Sequence, residues 1–435
     1  MARFPGDTLL EKLAASRHSG LRRWAARKAA DRALHWAALK GGADDPYVLM
    51  RLGLYPYALA KPAGDRKGEV AQTIAAAAMG EGGPNAPVPA TLKQVAARAI
   101  APANPRAALA LLPGDAIEAG AACLIAMGDA VAAAALVSEL DSREALAMRA
   151  HIAVAAGDPG GARRLLNAMF VNDGLGPPLG DGDGAFGIDA LQSPTPEPLD
   201  GPQVSVVVPY HDAADTLPAA VESLLAQSWR NLEILLVDDR STDESPAIAA
   251  ALAAKDGRVV TLENRQNSGV YGARNTAIDA ATGEFVTFLD ADDWSPAERI
   301  ARQVHALGGH ALAIANHIRM DEAGCPVAPR VYPLVRPVPI TMLLRRATLV
   351  EAGPFEQTKT GADSEMFARL EMLHGKRSVA RDAAILLVAR WRSGSLSDAS
   401  EGGMLGTERY AYRADWMFRH AGLAPPRLPV APGNA

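Results

Sequence analysis

The chain has little of several things, and each scarcity removes a class of protein. Only two cysteines occur in 435 residues, Cys123 and Cys325, far apart and without metal-ligand spacing. A disulfide framework is therefore excluded, and a reducing, cytoplasmic setting is expected. Positive charge is not in excess: 44 Lys and Arg against 49 Asp and Glu give a net charge of −5. That argues against nucleic acid as a partner, because such binding rests on a basic surface. No apolar run approaches the roughly 20 residues of a membrane span. The N-terminus lacks the short apolar core and cleavage site of a signal peptide. No Gly-x-Gly-x-x-Gly follows the first strand-like segment, and no Gly-x-x-x-x-Gly-Lys-Ser/Thr occurs, so any phosphate must be handled by side chains and metal, not by a glycine cradle.

What is present falls into three stretches, and the length itself predicts more than one core. Residues 1–170 are alanine-rich and read as an all-α domain. Within them, residues 1–40 carry nine basic and three acidic side chains, a local charge of +6, beside Leu9, Leu10, Leu13, Leu21, Trp24, Leu34 and Trp36. Two readings stand: a helix lying on an anionic membrane surface, or an ordinary packed helix with a solvated basic face. Further on, Gly128-Asp129 and Gly157-Asp158 lie 29 positions apart, each between Ala-rich helical segments. Helix, Gly-Asp turn, helix suggests stacked helical hairpins, weakly resembling tetratricopeptide-type repeats and implying a protein partner for this domain, or else a plain bundle. Residues 171–203 are rich in Gly and Pro and read as a linker. Asp181 and Asp183 in it hint at a calcium loop, but Gln192 stands where glutamate is needed.

From 204 to about 420, strands and helices alternate. Val204–Val208, Leu232–Val237, Val259–Leu262 and Phe285–Leu289 read as strands. Leu217–Ala226, the segment after Asp243 to Ala254, and Gly269–Ala281 read as helices. This predicts an α/β fold with a mostly parallel, doubly wound sheet. Two strands end in acids: Asp238-Asp239, and Asp290-Ala-Asp292-Asp293. In such folds ligands bind outside the carboxyl ends of the strands. Three acids in four positions are costly unless a cation neutralises them, and carboxylates suit Mg²⁺ or Mn²⁺ on a diphosphate. A solvated acidic turn is the plainer alternative.

Four ordered motifs make the pattern specific: Val204-Ser-Val-Val-Val-Pro-Tyr-His, Leu236-Val-Asp-Asp-Arg-Ser-Thr-Asp243, Asn267-Ser-Gly-Val-Tyr-Gly-Ala-Arg-Asn275 and Phe288-Leu-Asp-Ala-Asp-Asp293. Together they resemble a family 2 glycosyltransferase of the GT-A fold. The resemblance implies that Pro209 and the turn after it line a nucleoside pocket. Tyr210, Asp238 and Gly269 join them as donor-binding residues. Asp239 would accept a hydrogen bond from the base, usually uracil, with Arg274 and Asn275 beside the donor. Asp290, Asp292 and Asp293 would form the metal-binding cluster, Asp290 also contacting the ribose. Gly361-Ala-Asp363-Ser-Glu365 resembles the segment that carries the family's catalytic base, at Asp363. An inverting displacement needs such a base on the face opposite the leaving nucleotide. The purely structural reading of Asp363 is a helix N-cap. Arg390-Trp-Arg392-Ser-Gly-Ser395 resembles the tail that closes over the diphosphate. Leu387 replaces the glutamine of the processive Gln-x-x-Arg-Trp motif, which favours single addition.

The implied activity is metal-dependent, inverting transfer from a nucleotide-diphospho-sugar to a hydroxyl of a saccharide, lipid-linked or protein acceptor, in surface polysaccharide or glycoconjugate synthesis. Two rivals remain: a nucleotidyltransferase, and a non-catalytic helical scaffold with a degenerate transferase domain. His305, His310 and His317 lack ligand spacing for one helix face, and His211 reads as an exposed loop residue.

Overall fold

A computed structural model describes residues 5–32, 34–81, 87–182, 184–194, 196–392 and 406–425. Asp183 and the segment Ser393–Ser397, to which the calcium reading and the diphosphate-closing tail refer, lie outside the described residues. The described chain is helical from Pro5 to Asn172, and the first strand begins at Val204. No helix among the described residues is long and apolar enough to cross a membrane.

The chain divides into two compact units, though not where composition suggested. The first comprises residues 1–137, 328–333 and 393–435; the second comprises 138–327 and 334–392. The helices Arg143–Ala155 and Pro159–Asn172 thus belong with the sheet. The Gly/Pro-rich stretch is no free linker. Leu175, Leu179, Phe186, Ile188 and Leu191 are buried. The Leu199 N–H donates to the Ser228 carbonyl (2.7 Å), and the Ser193 hydroxyl oxygen accepts from the Ala297 N–H (2.9 Å). Composition flagged irregular backbone correctly. It could not reveal the apolar side chains spaced among the glycines that anchor this backbone to the sheet unit.

The Gly-Asp turns behave alike in both helical hairpins. Gly128 and Gly157 have φ of +81° and +75°, and Asp129 and Asp158 cap the helices that follow by accepting from the N–H groups of Ala132 and Gly161. A left-handed glycine ends one helix and an aspartate starts the next.

The sheet has the strands β1 (Val204–Tyr210), β2 (Leu232–Asp238), β3 (Val259–Glu263), β4 (Phe285–Phe288), β5 (Leu312–Met320), β6 (Pro326–Val327), β7 (Arg336–Pro337), β8 (Leu343–Arg345) and β9 (Val379–Arg390). Its order is β3-β2-β1-β4-β8-β5-β6, with β7 and β9 also pairing with β5. The longer ladders, β1–β2, β2–β3, β1–β4 and β5–β9, are parallel; the short ones are antiparallel. The mostly parallel α/β class expected from the alternation is observed. The helices Leu217–Leu225, Ser245–Lys255 and Val270–Ala280 fall on the expected segments. Every residue of β1 is buried, which is why its sequence is a continuous apolar run instead of an alternating one. Pro209 is tolerated because β1 pairs with β4 only as far as Val207, so its missing N–H breaks no ladder bond on that side.

From β1 the chain winds outward to β2 and β3, then returns to place β4 on the other side of β1. This reversal is a topological switch point, and the crevice of an α/β sheet opens there, at the carboxyl ends of the strands. Tyr210, Asp238 and Asp290 sit at those ends.

Candidate active site

At the end of β2 the two aspartates hold the backbone. Asp238 Oδ1 accepts from the Ser241 N–H (2.9 Å) and closes the turn through Arg240, whose φ is +65°. Asp239 is buried, and its carboxylate accepts from Asn264 Nδ2 (2.6 Å), the Gly269 N–H (2.6 Å) and the Ser268 hydroxyl (3.5 Å). The Asp239 N–H in turn donates to the Tyr210 carbonyl (2.8 Å). Asp239 therefore fastens the 264–269 loop to the end of the sheet. About four acceptor positions exist on a carboxylate, so one more donor can still reach it. Gly272 is required by the same loop: a Cβ there would lie 1.9 Å from the Asn267 carbonyl oxygen.

At the end of β4 the acids part company. Asp290 Oδ1 accepts from Arg274 Nη2 at 2.6 Å. Asp292 Oδ2 accepts from Arg392 Nη2 at 3.3 Å, and its carbonyl from Arg390 Nε at 3.3 Å. Asp293 is turned inward, accepting from the Arg390 N–H at 3.0 Å. Burial first, then the charges of Asp292 and Asp290, hold the Asp293 carboxyl well above the usual carboxylate range. The three acids of the expected metal cluster thus part: Asp290 and Asp292 face arginine side chains, and Asp293 faces inward. Asp293 anchors β9 to the turn after β4, and no group of three His, Cys, Asp or Glu side chains converges among the described residues. Burial and the neighbouring Asp290 charge also raise Asp292. Two crowded carboxylates, one already resisting ionisation, fit a divalent cation that takes its other ligands from water and phosphate.

The helix Val270–Ala280 connects these acids to the base candidate. The Tyr271 hydroxyl donates to Asp363 Oδ1 (2.9 Å) and accepts from the Gly361 N–H (2.9 Å). Burial, then the Asp363 charge, raises the phenol, so it remains a donor. The Tyr271 ring stacks on Phe355 at 5.8 Å, and the Arg274 guanidinium lies 5.2 Å from one ring centre and 5.9 Å from the other. Arg274 is buried, yet the charges of Asp290 and Asp363 outweigh that burial and keep it firmly protonated. One continuous run, Asp363–Tyr271–Arg274–Asp290, thereby joins the start of the helix Ala362–His374 to the end of β4.

The helix cap is Gly361, with φ +89°, and Asp363 stands two residues further on. Its carboxylate bonds a side chain from another helix, and no capping bond to a helix N–H is made, so the capping reading of Asp363 does not hold. Asn275, expected beside the donor, is instead spent on structure. Its amide donates to the Phe355 carbonyl and accepts from the Phe355 N–H, both at 2.9 Å, and it is buried. Arg390 is held by Asp189. His211 is exposed and its Nδ1 bonds the Asp239 carbonyl at 3.0 Å; His305 and His310 are exposed while His317 is buried in β5. Tyr271 and Asn264 escaped the sequence reading. Tyr271 lies inside the third motif, three residues before Arg274, and that helical spacing was the available signal; Asn264 had none.

The fold is a mostly parallel α/β sheet with acids at its switch point, and residues 205–336 match the family model Glycosyl transferase family 2. This part of the chain is a family 2 glycosyltransferase domain. Among curated relatives, the chain is 38% identical over 102 residues to the Escherichia coli UDP-Glc:α-D-GlcNAc-diphosphoundecaprenol β-1,3-glucosyltransferase WfaP, covering 23% of this chain and 40% of that one. It is 36% identical over 127 residues to the succinoglycan biosynthesis protein ExoO of Rhizobium meliloti, covering 29% and 32%. The matched stretches thus span less than half the length of these relatives. Solved structures of similar shape include S. aureus TarS 1–349 with UDP-GlcNAc (TM-score 0.42, 20% identity, 50% of this chain and 66% of that one). GalNAc-T7 with UDP, GalNAc and Mn²⁺ gives a TM-score of 0.40 at 17% identity, over 49% and 48%.

Proposed function

We propose that the chain transfers a sugar, with inversion, from a nucleotide-diphospho-sugar to a hydroxyl acceptor. The observation that carries this reading is the run Asp363–Tyr271–Arg274–Asp290, which ties a carboxylate at a helix start to the acids at the switch point. Asp363 takes the proton from the acceptor hydroxyl as its oxygen bonds to the anomeric carbon. The bond from that carbon to the diphosphate oxygen breaks in line, and the nucleoside diphosphate leaves. Asp290 and Asp292 would hold Mn²⁺ or Mg²⁺, which when bound offsets negative charge on the departing diphosphate. Arg390 and Arg392, at the same edge, are placed to add positive charge. Pro209, Tyr210 and Asp239 border the nucleoside position, with uracil as the first base to test.

The acceptor is proposed to be a growing surface glycan, by analogy with the relatives' printed activities, one of which acts on a diphosphoundecaprenol-linked sugar. A cytoplasmic location with peripheral membrane contact would suit such an acceptor. Supporting this, Leu21 and Trp24 are exposed on the helix Ser19–Asp31, beside exposed Arg17, Arg22 and Lys28. Much of the +6 charge is internally matched, however: Arg23 and Arg27 pair with Asp45 and Asp65. Salt-sensitive co-sedimentation with anionic vesicles, lost in Trp24→Ser, tests the contact.

The decisive experiment incubates the protein with Mn²⁺ and a panel of nucleotide sugars and measures release of nucleoside diphosphate. Wild type should release it from at least one donor, and Asp363→Asn should bind that donor with transfer lost by orders of magnitude. A donor affinity that falls as far as the rate would make Asp363 a binding residue and overturn its role. UDP binding without turnover of any donor would favour the scaffold reading.

A further inference from the structure

The stretch before β1 does more than pack on the sheet unit. It holds the loop that follows the acids of β4. Phe170 meets Trp294 edge-on, with ring centres 6.0 Å apart. The Gly176 N–H donates to Glu298 Oε1 (3.2 Å), and the Ser193 hydroxyl accepts from the Ala297 N–H (2.9 Å). Phe170, Gly176 and Ser193 belong to the same compact unit as β4, yet all precede residues 205–336, which match the family model. The loop after Asp290 and Asp292 is therefore braced from outside the family-matched segment.

One more residue of this stretch reaches the candidate site itself. Asp189 lies in the single helical turn Ile188–Ala190, among buried Phe186, Ile188 and Leu191. Those apolar neighbours fix its backbone, while its side chain stays 57% exposed. Among the described residues its carboxylate bonds one group only, Arg390 Nη2. Arg390 ends β9, and its side chain is 9% exposed. Its N–H donates to Asp293 Oδ1 (3.0 Å) and its Nε to the Asp292 carbonyl (3.3 Å). Asp189 thus grips the outer nitrogen of an arginine whose inner nitrogen already lies on the acid turn.

The backbone of Arg390 is held by Asp293 and by the β5–β9 ladder, so Asp189 is not needed to place it. An exposed ion pair also adds little to stability. What Asp189 fixes is the direction of the guanidinium plane. With Nε on one oxygen and Nη2 on another, the plane cannot swing. A guanidinium presents several N–H donors in a rigid fork. Among the described residues only Nε and Nη2 are bonded, so donors remain for an oxyanion. A fork already fixed in direction loses less freedom when a ligand binds. We propose that Asp189 is a positioning residue of the donor site, aiming the Arg390 fork at the diphosphate. This rests on the reading of Arg390 as a diphosphate contact given above.

The test uses the full chain. Calorimetric titration is run with Mn²⁺ and UDP, and uridine, which carries no phosphate, is measured by competition against UDP. Asp189→Ala should weaken UDP binding by about tenfold, as loss of a bond that orients a charged donor requires, with uridine binding unchanged. Without ligand its melting temperature should shift by no more than about 3 °C, in keeping with an exposed pair. Asp189→Glu can still reach the fork and should recover most of the affinity. In an Arg390→Gln background, Asp189→Ala should have no further effect, because both changes act through one contact. Should Arg390→Gln fail to fold, the comparison of Asp189→Ala with Asp189→Glu decides. Equal UDP binding in wild type and Asp189→Ala would overturn the proposal. So would tighter binding by the variant, which would make Asp189 a competitor of the diphosphate. Equal loss toward UDP and uridine would make it a general support of the fold and overturn its role as well. If wild type binds no UDP, or if Arg390→Gln binds it like wild type, the underlying donor reading falls and the proposal with it. If Arg390→Gln weakens binding and Asp189→Ala does not, the proposal alone falls.

Discussion

Strands β2 and β4 both end in acids, yet the two ends do different work. After β2, Asp238 and Asp239 spend their oxygens on backbone N–H groups, an asparagine and a serine, and so fix the loop that leads into the helix Val270–Ala280. After β4, the Asp290 and Asp292 carboxylates pair with arginine side chains, while Asp293 turns into the core. Identical residues in near-identical sequence settings become a loop scaffold in one place and a charged edge paired with arginines in the other. The difference lies in what faces them: loop amides satisfy a carboxylate permanently, whereas arginine ion pairs can be exchanged for a cation and a phosphate.

The sharpest way to break this comparison is within the β4 cluster. Asp292→Asn should lose metal-dependent UDP binding and transfer by orders of magnitude while its melting temperature stays near wild type. Asp293→Asn keeps an acceptor for the Arg390 N–H and replaces a carboxyl that burial already disfavours in its charged form. It should retain most activity. Equal loss in both would mean that the inward-turned acid also holds the metal.

The β2 end should respond in stability. Asp239→Ala leaves the buried amide donors of Asn264 and Gly269 unsatisfied, at about 1–3 kcal/mol each. For a unit of this size the melting temperature should fall by about 2–4 °C per kcal/mol. A variant that melts like wild type but no longer binds UDP would show that Asp239 is spent on the ligand, not on the loop.

A smaller effect, chiefly on the rate, is expected at Tyr271, whose hydroxyl also accepts from the Gly361 N–H. Tyr271→Phe removes a hydrogen bond to a charged group, worth about 1.5–3 kcal/mol. If it positions Asp363, kcat should fall by about tenfold or more with donor KM unchanged. A rise in KM at constant kcat would assign Tyr271 to donor binding.

A last effect is set by pH and lies in the sheet, not at the candidate site. His317 is buried in β5, donates from Nδ1 to the Arg336 carbonyl (2.9 Å), and is pushed down to about 3 by burial and then by Arg336, with Arg319 adding to the effect. The folded protein keeps this ring neutral, while the unfolded chain takes up a proton below its ordinary value of about 6.5. The stability it contributes is therefore present above about 6.5 and declines as pH falls toward 3. Melting of the sheet unit should drop across that window, and His317→Gln should flatten the drop. An unchanged slope would mean that other groups govern acid sensitivity.

Much of this was legible in the residues. The continuous apolar run of β1 could only be a strand buried on both faces, and the glycine-aspartate pairs could only be turns, because backbone and burial preferences act within a few residues. The four motifs marked the switch-point edge for the same reason: acids directly after buried strands have nowhere else to go. What local pattern could not decide was which partner each side chain meets across long sequence separations. Asn275 looked like a ligand residue and proved to be a clamp on Phe355, eighty positions away. The Gly/Pro stretch looked like a linker, but its apolar side chains found a sheet to pack on. Composition and motif spacing thus determined the fold class and the edge where chemistry is expected. Only tertiary packing decided which acid turned inward and which tyrosine reached Asp363, because those outcomes depend on contacts that form only when distant segments meet.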